Sequence, residues 1–389
     1  MKNKIESIIL DCINYTECKN YHSYDVFDAL NSEFINRLLS KNIFLKRVAI
    51  QVNAKSLLNL RPLLGVKEIV HTKTLSDFLS IYTLMYKKTK NNEYKHKARQ
   101  VFELLWLRKI EIEKGFGWGL NFPYTTRFTN ADKDTPNLYN TINATHSILD
   151  YYETFESSGL EEIVDGVLRF ILNYLGVVNE DDSTAWLRYY PNQTGMPTPN
   201  VNATSASLFV RINTIYTNKV DKLLIKKLLN FVKLSQNQNG SWYYTTNSKG
   251  QWIDGFHTGF ILESLSLIKY LEPTYNVDLM LEKGTDFFVK NLISEDYIPK
   301  FFDESIYPIE SQNCAQCIQT LSKLIIYNNF KYDNLLKNIV DVVLENLYSK
   351  KGFFYHKKTR LFTFKHYYAR WSQSPMILSL IYSLNSQKK

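Results

Sequence analysis

This sequence predicts an all-α fold: an (α/α)6 toroid of helical hairpins with short β-segments in the loops at its mouth. Three observations predict it. A unit recurs at intervals of roughly 55 to 63 residues. Each copy pairs a helix that starts with small and polar residues with a second, Lys/Leu-rich amphipathic helix. A short aromatic segment leads into each small-residue helix. The helix starts align as NATHSILD (Asn143 to Asp150), ATSASLFV (Ala203 to Val210), FHTGFILE (Phe256 to Glu263), NCAQCIQT (Asn313 to Thr320) and SQSPMILS (Ser372 to Ser379). Stacked hairpins bury a continuous core, and about six of them can close into a ring around a central pit.

Residues 1–70 read as a lead-in packed on the toroid, with one clear helical stretch, YDVFDALNSEFINRLLS (Tyr24 to Ser40), and a mixed segment ending in RPLLGV (Arg61 to Val66). Residues 71–389 read as the toroid. No Pro/Gly/Ser-rich linker interrupts the repeat, so the whole chain reads as a single structural domain. Apolar residues recur at helical spacing in TLSDFLSIYTLMY (Thr74 to Tyr86) and EYKHKARQVFELLWL (Glu93 to Leu107), the first hairpin. Later hairpins fall near 137–176, 200–236, 255–293 and 309–349. A final inner helix begins near Arg370 and needs the N-terminal helix as its outer partner. Ala, Ser, Thr, Gly, Asn and Cys mark the inner helices, where packing around an axis is crowded. GFGWGLNFPY, AWLRYYP, GSWYYTT and GFFYHKK are aromatic enough to form short strands. Sequential hairpins place every inner-helix N-terminus at one mouth, where the helix dipoles favour anions.

Hydrophobic residues make up 44% of the 389, which suits a globular chain rather than a disordered one. The 47 Lys+Arg exceed the 38 Asp+Glu for a net charge of +9. The lysines scatter over outer helices such as KVDKLLIKKLLNFVKL, a solvated surface rather than a nucleic-acid site. Four cysteines fit a reducing compartment. The N-terminal segment is broken by Glu6 and Asp11 and is a poor signal peptide. No apolar run reaches about 18 residues. The expectation is a cytoplasmic protein with no membrane span, with peripheral membrane association left open. Its oligomeric state is not readable.

The chemistry-bearing residues gather just before the inner helices. In QWIDGFHTGF, Asp254 can cap the helix, Gly255 allows close approach, and His257 sits in the first turn, where a histidine can serve as acid or base. A histidine bonded between packed helices is the alternative. PNLYNTINATHS places Tyr139, Asn143 and His146 on one helix face, donors and acceptors suited to sugar hydroxyls or to a polar seam. MPTPNVNATS adds Asn200 and Asn202. YARWSQSP supplies Arg370 for a carboxylate, Trp371 as a sugar-stacking face, and Gln373. Glu310 is a reserve base or a helix cap. Tyr124 and Tyr190, with Trp118, belong to the aromatic supply of 27 Tyr, 23 Phe and 6 Trp, which a carbohydrate pit would use. Gln236, Gly240 and Trp242 form a Q-x-x-x-G-x-W clamp like that of triterpene cyclases, but no Asp-rich acid or diphosphate motif accompanies it. Cys314-x-x-Cys317 is expected to be two buried structural thiols. No metal and no cofactor is expected.

YDVFDALNS, NLRPLLGVK, GFGWGLNFPY, PNLYNTINATHS, NQNGSW, WIDGFHTGFILESL and RWSQSPMILSL span nearly the whole chain. On these segments it resembles a family of bacterial proteins found with exopolysaccharide and capsule biosynthesis enzymes. Its helical part is also similar to the C-terminal α/α domain of D-glucuronyl 5-epimerases, at Gly255–Phe256 and Ala369–Arg370–Trp371. That resemblance implies a uronate or other sugar epimerase of surface-polysaccharide production, acting on a uronate-containing glycan that is free, nucleotide-linked, lipid-linked or polymeric. It would work by removing a C5 proton and returning it. Arg370 would hold the carboxylate, with His257 and Tyr190 or Tyr124 on the two faces and Glu310 in reserve. A polysaccharide lyase, a glycoside hydrolase using Asp254, Asp303 or Glu310, and a non-catalytic glycan-binding assembly factor are the alternatives.

Overall fold

The structure, a computed structural model, describes residues 2–39, 42–113, 115–156, 158–179, 181–191 and 196–387. Fourteen α-helices run through the described residues: α1 Lys2–Cys18, α2 Glu33–Leu38, α3 Ile43–Lys55, α4 Thr72–Thr89, α5 Asn92–Trp106, α6 Leu138–Phe155, α7 Leu160–Leu168, α8 Pro199–Ile215, α9 Lys222–Leu234, α10 Gly255–Leu271, α11 Asp278–Asn291, α12 Ser311–Asn328, α13 Asp333–Leu347 and α14 Ser374–Ser386. The inner ring runs α4, α6, α8, α10, α12, α14 and back to α4, each helix packing on the next. Outside it, α5, α7, α9, α11 and α13 each back the inner helix that precedes them, and α1 backs α14. The molecule is an (α/α)6 toroid, as the repeat predicts.

Small polar residues suit the inner ring because they satisfy themselves. Ser76 Oγ donates to the Thr72 carbonyl (3.1 Å), Thr145 to Thr141 (2.7 Å), Ser205 to Val201 (2.7 Å) and Ser322 to Ile318 (2.7 Å), all within their own helices. Each hydroxyl therefore enters the dry interior without needing a partner on a neighbour. The inner helices can then be buried on nearly every side. The outer helices are one-sided: α9 buries Ile225, Leu228, Leu229, Phe231 and Val232 and turns its lysines outward.

Helix starts fix the mouth. Asn137 accepts from the Asn140 N–H (3.0 Å), Asp254 from that of His257 (2.7 Å) and Glu310 from that of Asn313 (2.9 Å), each as the N-cap of an inner helix. Short antiparallel strands precede several of them, pairing 110–112 with 115–117, 124–125 with 130–131, and 177–179 with 185–187. The Gln236–Trp242 motif is structural. Gln236 Nε2 donates to the Gly240 and Met280 carbonyls (3.0 Å each), and Trp242 Nε1 to Val232 (2.9 Å). It thus ties α9 to α11 of the next repeat.

The N-terminal segment differs from the expected single helix over Tyr24 to Ser40. Asp28 accepts from the Asp25 N–H (2.8 Å), Asp25 from that of Phe27 (3.0 Å), and Ser32 caps α2 (3.2 Å to Ile35 N). These local bonds compete with the helix and split the stretch into a 3-10 turn, Asp28–Asn31, and the short α2. The helix that backs α14 lies earlier, at α1, whose buried Ile5, Ile8, Ile9, Cys12 and Ile13 keep helical spacing. A third helix, α3, lies across the mouth. No helix of the described residues is long and apolar enough to cross a membrane.

A side chain at Gly284 would start 2.5 Å from the Trp242 ring. Gly284→Val is expected to lower stability by about 1–3 kcal/mol through overpacking, read from the urea midpoint.

Candidate active site

The inner-helix N-termini and the loops before them surround a cavity of about 990 Å³. Lys73 of α4, Tyr139 and Asn140 of α6, Phe256 and His257 of α10, and Gln312 of α12 line it, with Arg370 and Trp371 just ahead of α14. Tyr124, Tyr189, Tyr190, Tyr244 and Trp252 come from the preceding loops. Arg47 and Lys55 come from α3 and Arg127 from the 124–131 hairpin.

His257 is the best-organised acid–base group in this wall. Asp254 holds its Nδ1 at 2.7 Å while also capping the helix, and accepts from Trp252 Nε1 at 3.0 Å. A buried carboxylate on Nδ1 fixes the ring and leaves Nε2 as the nitrogen for a substrate. Tyr244 packs on the ring at 4.5 Å between centroids and stacks on Trp252 at 4.7 Å. Burial raises the Tyr139, Tyr190 and Tyr244 phenols well above their ordinary value. Tyr124 is also raised by burial, but the nearby Arg370 guanidinium opposes this and its value is about 12. The buried Tyr139 hydroxyl has no hydrogen-bond partner.

Arg370 forms a two-armed ion pair with Asp25, Nε at 2.6 Å and Nη2 at 2.7 Å. Burial alone would raise the Asp25 carboxyl, but the guanidinium overrides it and holds it at about 2. The carboxylate-binding role assigned to Arg370 is therefore already filled in part by this chain's own Asp25. Lys73 is likewise paired with Asp77 (2.6 Å), which also accepts from Ser374 Oγ (2.7 Å). Trp371 lies edge-on to Phe27 at 5.1 Å, with its Nε1 donating to Glu310.

His257, Tyr124, Tyr139, Tyr190, Arg370 and Trp371 thus share one cavity, with Asp254 directly behind His257. The other candidates lie away from its lining. Glu310 is buried behind Trp371 and held as an N-cap, and burial raises it to about 7. Trp118 is a core residue whose Nε1 bonds Leu105 O (3.0 Å). Gln373 bonds the backbone of Cys12 (3.0 Å), Gly352 (2.9 Å) and Phe354 (3.1 Å), so it holds the ring closed. Asn202 bonds Leu187 N (2.8 Å) and Thr198 O (2.9 Å). His146, with Asn143 one turn earlier, follows Asn140 into the helix and lies 3.4 Å from Arg211. Burial, then that guanidinium, lowers it to about 3. Asn200 is buried at the start of α8. Cys314 and Cys317 are buried thiols raised by burial. Among the described residues no three His, Cys, Asp or Glu side chains cluster as a metal site.

Sequence reading missed Asp25, Lys73, Arg47, Lys55, Arg127 and Trp252, while Tyr244 belongs to the aromatic supply expected before the inner helices. Trp252 lies in QWIDGFHTGF, two residues before Asp254. Asp25 stands 345 residues from Arg370 and carried no signal without ring closure.

No protein-family model and no curated protein matches this chain. Solved structures match its fold. Cellobiose 2-epimerase from Bacillus thermoamylovorans B4167 is similar at TM-score 0.62 and 13% identity, covering 82% of this chain and 88% of that one. The GH76 alpha-mannanase BT2949 of Bacteroides thetaiotaomicron is similar at 0.60 and 11%, covering 82% and 87%. A D-mannose isomerase is similar at 0.58 and 11%, covering 81% and 86%.

Two outcomes follow from these environments. Asp25→Ala strands a buried guanidinium and is expected to cost about 3–5 kcal/mol in urea unfolding. Glu310 binds its proton more tightly folded, at about 7, than at its ordinary 4.5. Its contribution is therefore full below pH 4.5 and is lost as pH rises through about 7. Glu310→Gln should flatten that part of the stability–pH curve.

Proposed function

We propose that the chain is a carbohydrate-active enzyme, an epimerase that moves a proton on an anionic sugar. One observation carries the reading: His257, oriented by Asp254, opens into an aromatic cavity whose charged lining among the described residues is wholly cationic, with Arg47, Lys55, Lys73, Arg127 and Arg370. Such a wall favours a uronate or a phosphate-linked sugar. The aromatic faces suit the apolar side of a pyranose. The epimerase and isomerase among the similar structures act on sugars by their names, which agrees with the reading.

In the proposed reaction His257 Nε2 takes the proton from the carbon next to the sugar carboxylate. The C–H electron pair passes into the carboxylate, and the second negative charge that develops is met by the cationic wall. Tyr124 returns a proton from the opposite face. Of the five lining tyrosines whose phenols burial raises, it is the one held nearest the ordinary range, with Arg370 opposing the rise. The product differs only in configuration, and its new C–H carries a solvent proton. Arg370, balanced by Asp25, positions and donates rather than supplying a full free charge. The resemblance to capsule and exopolysaccharide proteins points to a glycan of surface-polysaccharide synthesis.

A lyase would share the proton removal and end in elimination. A hydrolase needs two carboxylates facing the bond, and the lining among the described residues supplies none.

Incubation in heavy water with uronate-containing oligosaccharides, read by NMR, is expected to put deuterium at C5 with inverted configuration. An unsaturated product would replace epimerase by lyase. Binding without any exchange would reject both. His257→Ala should cut turnover by about 10²–10⁴ with the fold intact, and Tyr124→Phe by a similar factor.

A further inference from the structure

Helix α3 turns its residues the wrong way for a helix packed on a globular protein. Its buried residues are Lys46, Ile50, Asn53 and Ala54. Its exposed face carries Phe44, Val48 and Val52 in one row at i, i+4 and i+8, exposed by 66%, 40% and 59%. Phe34 and Leu38 add to the apolar surface from α2, exposed by 73% and 69%. Both helices pack on the Asp28–Asn31 turn. Single exposed hydrophobics are ordinary, but a cluster of this kind marks an interaction surface. Phe44, Val48 and Val52 also line the cavity. The apolar band therefore runs from the outside of the molecule into the site.

The charge around this band is mostly positive. Between Glu33 and Lys55 the exposed charges among the described residues are Arg37 and Lys55 against Glu33, and Arg47 is half-buried; Arg47 and Lys55 stand at the cavity rim. We propose that α2 and α3 form a docking surface for an anionic lipid bilayer, which holds the cavity mouth at the membrane surface. The row of Phe44, Val48 and Val52 enters the boundary between head groups and acyl chains, while the basic side chains meet anionic head groups. A second copy of the chain fits less well. A two-fold contact would set this patch against itself and bring like charges together. That the sugar then arrives carried on a lipid rests on the reading of the cavity given above. The docking does not.

The test is flotation of the full chain with vesicles of phosphatidylcholine and phosphatidylglycerol in equal parts, beside vesicles of phosphatidylcholine alone. The chain is expected to float with the first and at least about tenfold less with the second. The variant carrying Phe44→Ser, Val48→Ser and Val52→Ser, checked for fold by circular dichroism, should lose about tenfold or more in partitioning. Arg37→Glu with Lys55→Glu should abolish the preference for anionic vesicles, an independent check should the serine variant misfold. Wild type that floats with neither vesicle overturns the proposal, as does a folded serine variant that floats as well as wild type. A dimer in sedimentation that the serine variant dissolves, with no flotation, assigns the surface to self-association instead. Failed flotation with successful deuterium exchange on soluble glycans removes the surface and leaves the chemistry. Flotation without exchange does the reverse.

Discussion

The ion pair between Arg370 and Asp25 joins the two ends of the chain where the ring closes. Its position decides three things together. It anchors the start of the last inner helix on the turn that carries α2 and α3. It places a guanidinium beside Tyr124 in the cavity wall. It also balances that guanidinium, so the cavity gains a fixed donor without an isolated buried charge, which would be very costly. The neighbouring Arg61–Asp28 pair, at 2.8 Å, repeats the arrangement one step further from the cavity.

The same economy of charge runs through the site. Lys73 is balanced by Asp77, and His257 is held by Asp254. In each case the carboxylate stands behind the wall and the donor stands in it. The cavity therefore presents donors and aromatic faces while the anions stay hidden. This order follows from the N-caps as well, because a capping carboxylate faces back toward its own helix.

The toroid was readable because its signal is periodic: five small-residue helix starts at regular intervals leave few other folds open. Half of the candidate site was readable for a related reason. His257, Tyr139, Arg370 and Trp371 sit at the first turn of inner helices or just before it, where the ring must face its mouth. Residues further into a helix, such as Asn143 and His146, were chosen by type. Their burial depends on helix phase against neighbours, which one segment does not reveal. Asn202 and Gln373 show how polar side chains at a mouth can be consumed by backbone groups. Helix α3 was missed for a further reason. Its buried face holds only Ile50 and Ala54 among apolar residues, while Phe44, Val48 and Val52 stay exposed at the cavity rim, so no core-seeking pattern could place it.

Ring closure also has a consequence in time. The outer partner of the last inner helix is the first helix of the chain, so α1 emerges from the ribosome long before α14 exists. Its stripe of Ile5, Ile8, Ile9 and Ile13 lacks its helical partner until α14 has been made. The earlier hairpins can stack as they appear, but the circle is completed only once α14 has left the ribosome, by a contact between helices more than 300 residues apart.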